Sequence, residues 1–516
     1  MNGAEALLQT LVDSGVEVCF ANPGTSEMQL VSAIGKTDAM RPVLCLFEGV
    51  VSGAADGYAR MAQKPAATLL HLGSGFSNSL ANMHNARRAG SPVVNIVGDH
   101  ASYHLQFDAP LTSDLTTIAR WGSHWTEVAS SPDALSAGGA RAVQASLAGN
   151  GQIATLIAPA DHAWTEATEA APALEPKPLL TVPESRIERG AQAIAGPGKT
   201  CLLLGGRALR AENLERLGAI VEAHDVTLMT STFPTRLQRG AGRVAVQRLP
   251  YFAEQAEEAL AAFDQLILLG APAPVSFFAY PDKESWLTPD SCQLITLAEA
   301  NEDVEQAVID LAGSLGATRA PTVLQTRQLH EIGDDTLNPL TIGQIISNEL
   351  PADAIVSDEG ATGGLAIYLC TEQAEPHDWM TLTGGAIGQG LPLALGASLA
   401  CPDRKVVALE ADGSSMYTIQ ALWSMARENV DVTVVLLNNS SYAILNIELA
   451  RVGAGEPNAK TLSMLDLSNP DMCYQQIAEG LGVPATRAST AAEFESQFRE
   501  AMATRGPRLI EAIVAS

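Results

Sequence analysis

The stretch VVALEADGSSMYTIQALWSMARENVDVTVVLLNNSSYAIL (406–445) decides the fold. An apolar run ends at Asp412-Gly413, a helical segment opens after Ser414 and Ser415, and a second apolar run ends at Asn438-Asn439. Runs of Val, Leu and Ala without polar alternation read as strands buried on both faces. Two such strands joined through a helix form a parallel βαβ unit, because parallel pairing requires a crossover. Their carboxyl ends then share one edge, which makes Asp412 and Asn439 neighbours in space. A carboxylate beside an amide oxygen is oxygen-only ligation, suited to Mg²⁺ that takes phosphate oxygens as further ligands. Gly413 permits close backbone approach. The helix start at Ser414 and Ser415 offers amide N–H groups and a positive dipole end to a diphosphate. Asp-Gly alone is most often a plain turn; the spaced Asn439 and the βαβ setting make it a candidate site.

The same pattern extends over the chain. Buried-strand runs occur at 17–24, 67–73, 91–99, 152–161, 199–206, 264–272, 404–413 and 430–439, with helical segments between them. The fold class is therefore α/β, with doubly wound parallel sheets. Two breaks divide it. TEATEAAPALEPKPLLTVPE (165–184) is proline-rich and aperiodic, and 313–339 is polar and irregular. Three units follow, at 1–164, 185–312 and 340–516. The 516 residues, 47% hydrophobic and 17% charged, have a globular composition. A net charge of −27 argues against nucleic-acid binding, since it repels a phosphate backbone. No apolar run reaches 18 residues, so no membrane span is expected. The start MNGAEALLQTLVDSG lacks a basic leader segment, so no signal peptide is expected either. Seven dispersed cysteines without a CxxC fit reduced thiols, and a cytoplasmic location is expected.

A second segment, LCLFEGVVSGAADGYARMAQKPAATLLHLGSG (44–75), places Glu48 at the head of a helix rich in Gly, Ala and Val. Such a carboxylate is either exposed at a helix N-terminus or buried in an apolar interface, where it becomes a proton carrier. These residues alone favour the first. His71 ends the next strand before Gly73-Ser74-Gly75, a place where histidine is more often structural than catalytic. Gly196-Pro197-Gly198-Lys199-Thr200 imitates the end of a phosphate-binding loop, but Ala193 stands where its first glycine belongs and a strand follows instead of preceding it. Gly205-Gly206 lacks the third glycine of a dinucleotide fingerprint.

Together these segments resemble the thiamine-diphosphate enzymes of the pyruvate-decarboxylase and acetolactate-synthase superfamily, over essentially the whole chain. That family has pyrimidine-binding, central and diphosphate-binding domains in the order of the three units. Its Gly-Asp-Gly motif appears as Ala411-Asp412-Gly413, with Ala411 replacing the first glycine. The resemblance implies Mg²⁺ held by Asp412, the Asn439 side chain and the Ser441 backbone carbonyl. It makes Glu48 the essential glutamate, which reverses the bland reading above. Ala21-Asn22-Pro23-Gly24-Thr25-Ser26-Glu27 looks most like the benzoylformate-decarboxylase branch, where a serine near the substrate occupies the Thr25 position and a histidine that of His71. That branch's second histidine, expected near Val275-Ser276-Phe277-Phe278, is missing. TGGAIG (383–388) matches the stretch that bends the cofactor, with Ile387 as the wedge and the Gly385 carbonyl accepting from the aminopyrimidine. The implied activity is decarboxylation or carboligation of a 2-oxo acid. Acetolactate synthase-like use of pyruvate is the alternative, and an idle cofactor-binding homologue the alternative of another class. FAD, which acetolactate synthases carry along a Gly-rich passage, is not expected, because FPTRLQRGAGRVAVQRLPYF (233–252) is bulky and basic. A homodimer or homotetramer with active sites between subunits is implied.

Overall fold

Val406–Ala411 and Val432–Asn438 lie side by side and parallel, with Val406 opposite Val432 and Ala411 opposite Leu437. They form the middle of a seven-stranded sheet. Its order is Ala485–Ala488, Arg508–Ile513, Val432–Asn438, Val406–Ala411, Ile355–Glu359, His377–Thr381 and Leu237–Arg239. The computed structural model describes residues 1–333 and 335–514. Every residue of Val432–Asn438 is buried, which is the burial its unbroken apolar run requires.

The N-terminal sheet has six parallel strands in the order Arg41–Leu44, Val18–Asn22, Ala66–His71, Val93–Asp99, Ile153–Pro159 and Trp125–Val128. The central sheet has five, in the order Gln247–Arg248, Val226–Thr230, Thr200–Leu204, Gln265–Leu269 and Gln293–Ala298. Helices separate most consecutive strands, though none lies between Gln265–Leu269 and Gln293–Ala298, and the three α/β layers are built of parallel strands. One strand departs from this rule. Leu237–Arg239 leaves the central segment and pairs antiparallel with His377–Thr381 of the third sheet. The edge strands Arg41–Leu44 and Trp125–Val128 carry no continuous apolar run, because one face of each meets solvent.

Cores cross the three units. One cluster joins Phe20, Val50 and Leu70 to Leu393 and Val434, and another joins Leu202 and Ile267 to Ile345, Trp379 and Phe494. The closest seam lies between Glu48–Ala62 and Gly390–Ala400. A Cβ on Gly57 would stand 2.0 Å from the Leu393 carbonyl oxygen, and one on Gly396 would stand 1.9 Å from that of Ala54. Only glycine lets these backbones touch. The seam fixes the helix headed by Glu48 against the third unit. Buried ion pairs add direction. Asp378 receives Arg236 at 2.5 Å and Arg404 at 2.6 Å, and Arg60 reaches Asp56 at 2.6 Å. Among the described residues, no helix is long and apolar enough to cross a membrane.

Candidate active site

Asp412 begins a single helical turn, Asp412–Ser415, at the carboxyl end of its strand. The longer helix starts later than the sequence suggests, at Ala421–Glu428, because residues 416–420 continue as turns. The Asp412 carboxylate accepts from its own strand end, Gly413 N at 2.8 Å, and from the neighbouring one, Asn439 N at 3.1 Å. The side-by-side placement of Asp412 and Asn439 is therefore real. Burial pushes the Asp412 carboxyl above its usual range, and the hydrogen bonds opposing that push come from backbone amides. Asn439 Oδ1 accepts from Ser441 N at 3.0 Å, which closes a tight turn around the same point. A carboxylate, an amide oxygen and adjacent carbonyls fit a hard divalent cation. A cation would supply the positive charge that this desolvated carboxylate lacks. The Ser414 hydroxyl donates to Glu410 at 2.5 Å and that of Ser415 to the Asp412 carbonyl at 2.7 Å. Both side chains thus point inward, and Ser414 and Ser415 can offer a diphosphate their backbone amides, while that of Gly413 is taken by Asp412.

Beneath this edge lies a carboxylate pair that sequence reasoning passed over. Glu359 and Glu410, at the ends of adjacent strands, are both buried. Burial pushes the Glu359 carboxyl up, and burial with the Glu359 charge holds Glu410 well above the usual carboxylate range. Glu359 accepts from Gly388 N at 2.7 Å and from Gly390 N at 2.5 Å. It thus grips the end of the strap that carries Gly385 and Ile387.

The rest of the strap is gripped from the first unit, by helix Leu72–Ala89. Asn85 bonds both polar atoms of the Ala386 peptide, donating to O at 2.7 Å and accepting from N at 3.2 Å. Asn82 donates to the Gly388 carbonyl at 2.8 Å and to that of Gly49 at 2.9 Å, which joins the strap to the first turn of the Glu48 helix. The His84 imidazole meets the Gly384 carbonyl at 3.1 Å. Gly385 has φ +75°, a conformation that favours glycine. A Cβ there would strike the Phe277 ring at 2.6 Å. Phe277, on the segment lacking the second histidine, thus covers the strap with an aromatic wall that includes Phe233, Tyr251 and Phe278.

Glu48 heads its helix and is 7% exposed. Its two carboxylate oxygens accept from Asn22 Nδ2 and Asn78 Nδ2, each at 3.0 Å. The polar partners, rather than an apolar lining, are what hold it. His71 ends strand Ala66–His71 and presents Nδ1 to Glu27 at 2.9 Å and to Ser26 Oγ at 3.2 Å. A proton on Nδ1 satisfies the fully buried Glu27 and leaves Nε2 free as an acceptor. Thr25 stands exposed on the same turn, so Ser26 and not Thr25 is the hydroxyl beside His71. The short-range signal for Ser26 and Glu27 was present in the Thr-Ser-Glu turn. Asn78, Asn82 and Asn85 recur at i, i+4 and i+7 on helix Leu72–Ala89, a one-face spacing that the sequence carried, whereas nothing in the sequence pointed to Asn22.

Two family models match the chain: the thiamine pyrophosphate enzyme N-terminal TPP binding domain over residues 1–121, and the C-terminal TPP binding domain over residues 360–512. The chain is 48% identical to a Mycobacterium tuberculosis H37Rv protein that carries the provisional name acetolactate synthase large subunit IlvX, covering 100% of this chain and 99% of that one. It is 28% identical to benzoylformate decarboxylase of Pseudomonas aeruginosa, over 96% of each. The solved thiamine diphosphate-dependent 4-hydroxybenzoylformate decarboxylase of Rhodococcus jostii RHA1 superposes with a TM-score of 0.87 at 24% identity, covering 100% of this chain and 99% of that one, and so shares its fold.

Proposed function

The chain belongs to the thiamine pyrophosphate enzyme family, and from that premise we propose that it decarboxylates a 2-oxo acid and either releases the aldehyde or joins the acyl remnant to a second carbonyl. The observation that carries this reading is Glu48, buried at the head of its helix with both oxygens held by amides. Bound thiamine diphosphate supplies the electron sink that release of carbon dioxide requires. Glu48 holds and moves the proton at the cofactor's pyrimidine ring nitrogen, while Asn22 and Asn78 fix the orientation of its carboxyl group. Asp412, Asn439 and the Ser441 carbonyl hold Mg²⁺. The backbone amides of Ser414 and Ser415 would bind the diphosphate, and Gly413 would let it approach closely. The Gly385 carbonyl would accept from the aminopyrimidine, and Ile387 would serve as the wedge that bends the cofactor. His71, aligned by Glu27, delivers or accepts a proton at the substrate. Thr25 lies at the mouth, with Ser26 closer to the imidazole. On the pattern of the family, Glu48 of one copy would serve Asp412 of another, in a homodimer or homotetramer, and the acidic chain with its dispersed free cysteines suits a cytoplasmic location.

Flavin has no part in this reading. Arg236 and Arg239 of the 233–252 stretch are turned into the third unit, where Arg236 pairs with Asp378 and Arg239 donates to the Tyr368 carbonyl at 2.9 Å.

The test is a panel of 2-oxo acids offered to protein with Mg²⁺ and thiamine diphosphate, with products identified. Carbon dioxide released from none of them would overturn the reading. The 48% identical relative favours a second reading, acetolactate formation from pyruvate, which the same panel separates by product.

A further inference from the structure

A cleft of about 100 Å³ opens between the first and central units, lined by Arg60, Gly90, Asn150, Gly206, Arg207 and Arg210 among others. Arg60 lies at the far end of helix Glu48–Ala62, about 18 Å along the helix from Glu48 at 1.5 Å per residue. The cleft is therefore separate from the Glu48 site.

Its charge does not balance. Arg60 pairs with Asp56, Arg207 with Glu305, and both Arg236 and Arg404 with Asp378. Arg210 sits beside Arg207 and Arg236, and its Nη1 reaches the backbone oxygen of Arg236 at 3.4 Å. Its Nε is buried and lacks a partner among the described residues. Of the three guanidinium groups that line the cleft, Arg60 and Arg207 each have a carboxylate partner, and Arg210 has no ion pair among the described residues. Burial first, then the neighbouring Arg236 and Arg207 charges, pull the Arg210 guanidinium down to about 9, against an opposing pull from Asp378 and Glu305. A second atom is orphaned in the same cleft. Asn150 donates through Nδ2 to the Ala300 and Glu302 carbonyls, which fixes the amide orientation, and its Oδ1 is buried with no partner among the described residues. The cleft thus lacks negative charge on one side and a hydrogen-bond donor on the other.

We propose that this cleft binds a phosphate group, as orthophosphate or a phosphate monoester, with its oxygens on Arg210 and Arg207 and its hydroxyl donating to Asn150. Guanidinium forks match phosphate oxygens. A phosphate near its second ionisation, about pH 6 for an ester, carries both negative charge and a hydroxyl donor. Sulfate and simple carboxylates at neutral pH carry no such hydroxyl. The volume holds a phosphate and a short stem, several waters' worth of space, and no large ring system.

The proposal is tested by calorimetric titration of holoenzyme saturated with thiamine diphosphate and Mg²⁺, so that the diphosphate edge is filled. Orthophosphate, glycerol 3-phosphate and sulfate are the titrants. One further phosphate site per chain is expected, at least tenfold tighter for phosphate than for sulfate. Arg210→Met weakens it tenfold or more, and Asn150→Ala erases the preference over sulfate. Arg207→Met gives the same loss of affinity, should the Arg210 variant fail to fold. Turnover without phosphate is unchanged in all three. Tighter binding of glycerol 3-phosphate than of orthophosphate identifies a monoester as the ligand; the reverse order identifies the free ion. Absence of phosphate binding, equal affinity in Arg210→Met and Arg207→Met, or sulfate binding as tightly as phosphate would overturn the proposal.

Discussion

Glu48 shows how much a single residue depends on its partners. Its neighbours in sequence are Gly and Val, yet its oxygens are held by Asn22 and Asn78, from a strand end and a helix that follow different parts of the chain. Glu48→Gln keeps the size and can accept and donate one bond each, but cannot carry the proton. The variant is expected to fold and bind cofactor while deuterium exchange at the cofactor's C2 falls roughly 10²–10⁴-fold, the usual worth of a positioned acid–base group. Acid quench followed by NMR reads that step alone, and exchange at the wild-type rate would remove Glu48 from the mechanism. His71→Ala is expected to leave C2 exchange intact and to slow turnover of the true substrate by a factor of similar size. Unchanged steady-state constants would make the imidazole structural. Asp412→Ala removes the carboxylate set opposite Asn439, and Mg²⁺-dependent cofactor binding should vanish from a calorimetric titration while the circular dichroism of the fold persists.

At the scale of elements, the strap at 383–390 is held by polar clamps from both sides: Asn82, Asn85 and His84 on one, Glu359 on the other. Asn85→Ala deletes two of those bonds and strands a buried peptide. At about 1 kcal/mol per bond, the cofactor concentration for half-activity should rise roughly 10- to 100-fold with little change in the unfolding midpoint. A large fall in stability with unchanged cofactor demand would assign Asn85 to packing instead. The glycine seam has the opposite signature. Gly396→Val drives a side chain into the Ala54 carbonyl, and a loss of about 1–3 kcal/mol or more is expected in urea unfolding.

Across the whole molecule, the three units behave as one because strand Leu237–Arg239 and two shared cores cross between them. His377 sits at that junction, its Nδ1 bonded to the Glu375 carbonyl at 2.7 Å and its ring edge-on to Trp379. Burial and the Arg239 charge pull its imidazole down from 6.5 to about 3. Between those two values the unfolded chain binds a proton that the folded chain refuses, so stability falls as pH drops through that window and levels off below it. At pH 5 the penalty is roughly 2 kcal/mol relative to neutral pH. His377→Asn should flatten this part of the thermal-midpoint profile. An unchanged slope between pH 7 and 5 would place the titration elsewhere.

The sequence alone determined the α/β class, the central strands and the pairing of Asp412 with Asn439. These follow from short-range regularities: unbroken apolar runs, a βαβ spacing, and residues that end a strand. The buried-strand readings at 91–99, 152–161 and 430–439 meet strands at Val93–Asp99, Ile153–Pro159 and Val432–Asn438. Glu48 and the 383–388 stretch were legible only through resemblance, because a carboxylate at a helix head and a Gly-rich bend have no fixed meaning by themselves. Tertiary structure decided the rest. The strand at Leu237–Arg239 is three residues long, and its place beside His377–Thr381 depends on a partner more than a hundred positions away. The clamps at Asn82, Asn85 and Glu359, the alignment of His71 by Glu27, and the unmatched charge of Arg210 arise in the same way. Whether a polar side chain is a surface ornament or a buried partner is a property of what the fold sets against it. The i, i+4, i+7 spacing of Asn78, Asn82 and Asn85 puts three amides on one helix face, but only the assembled layers show which group each amide meets.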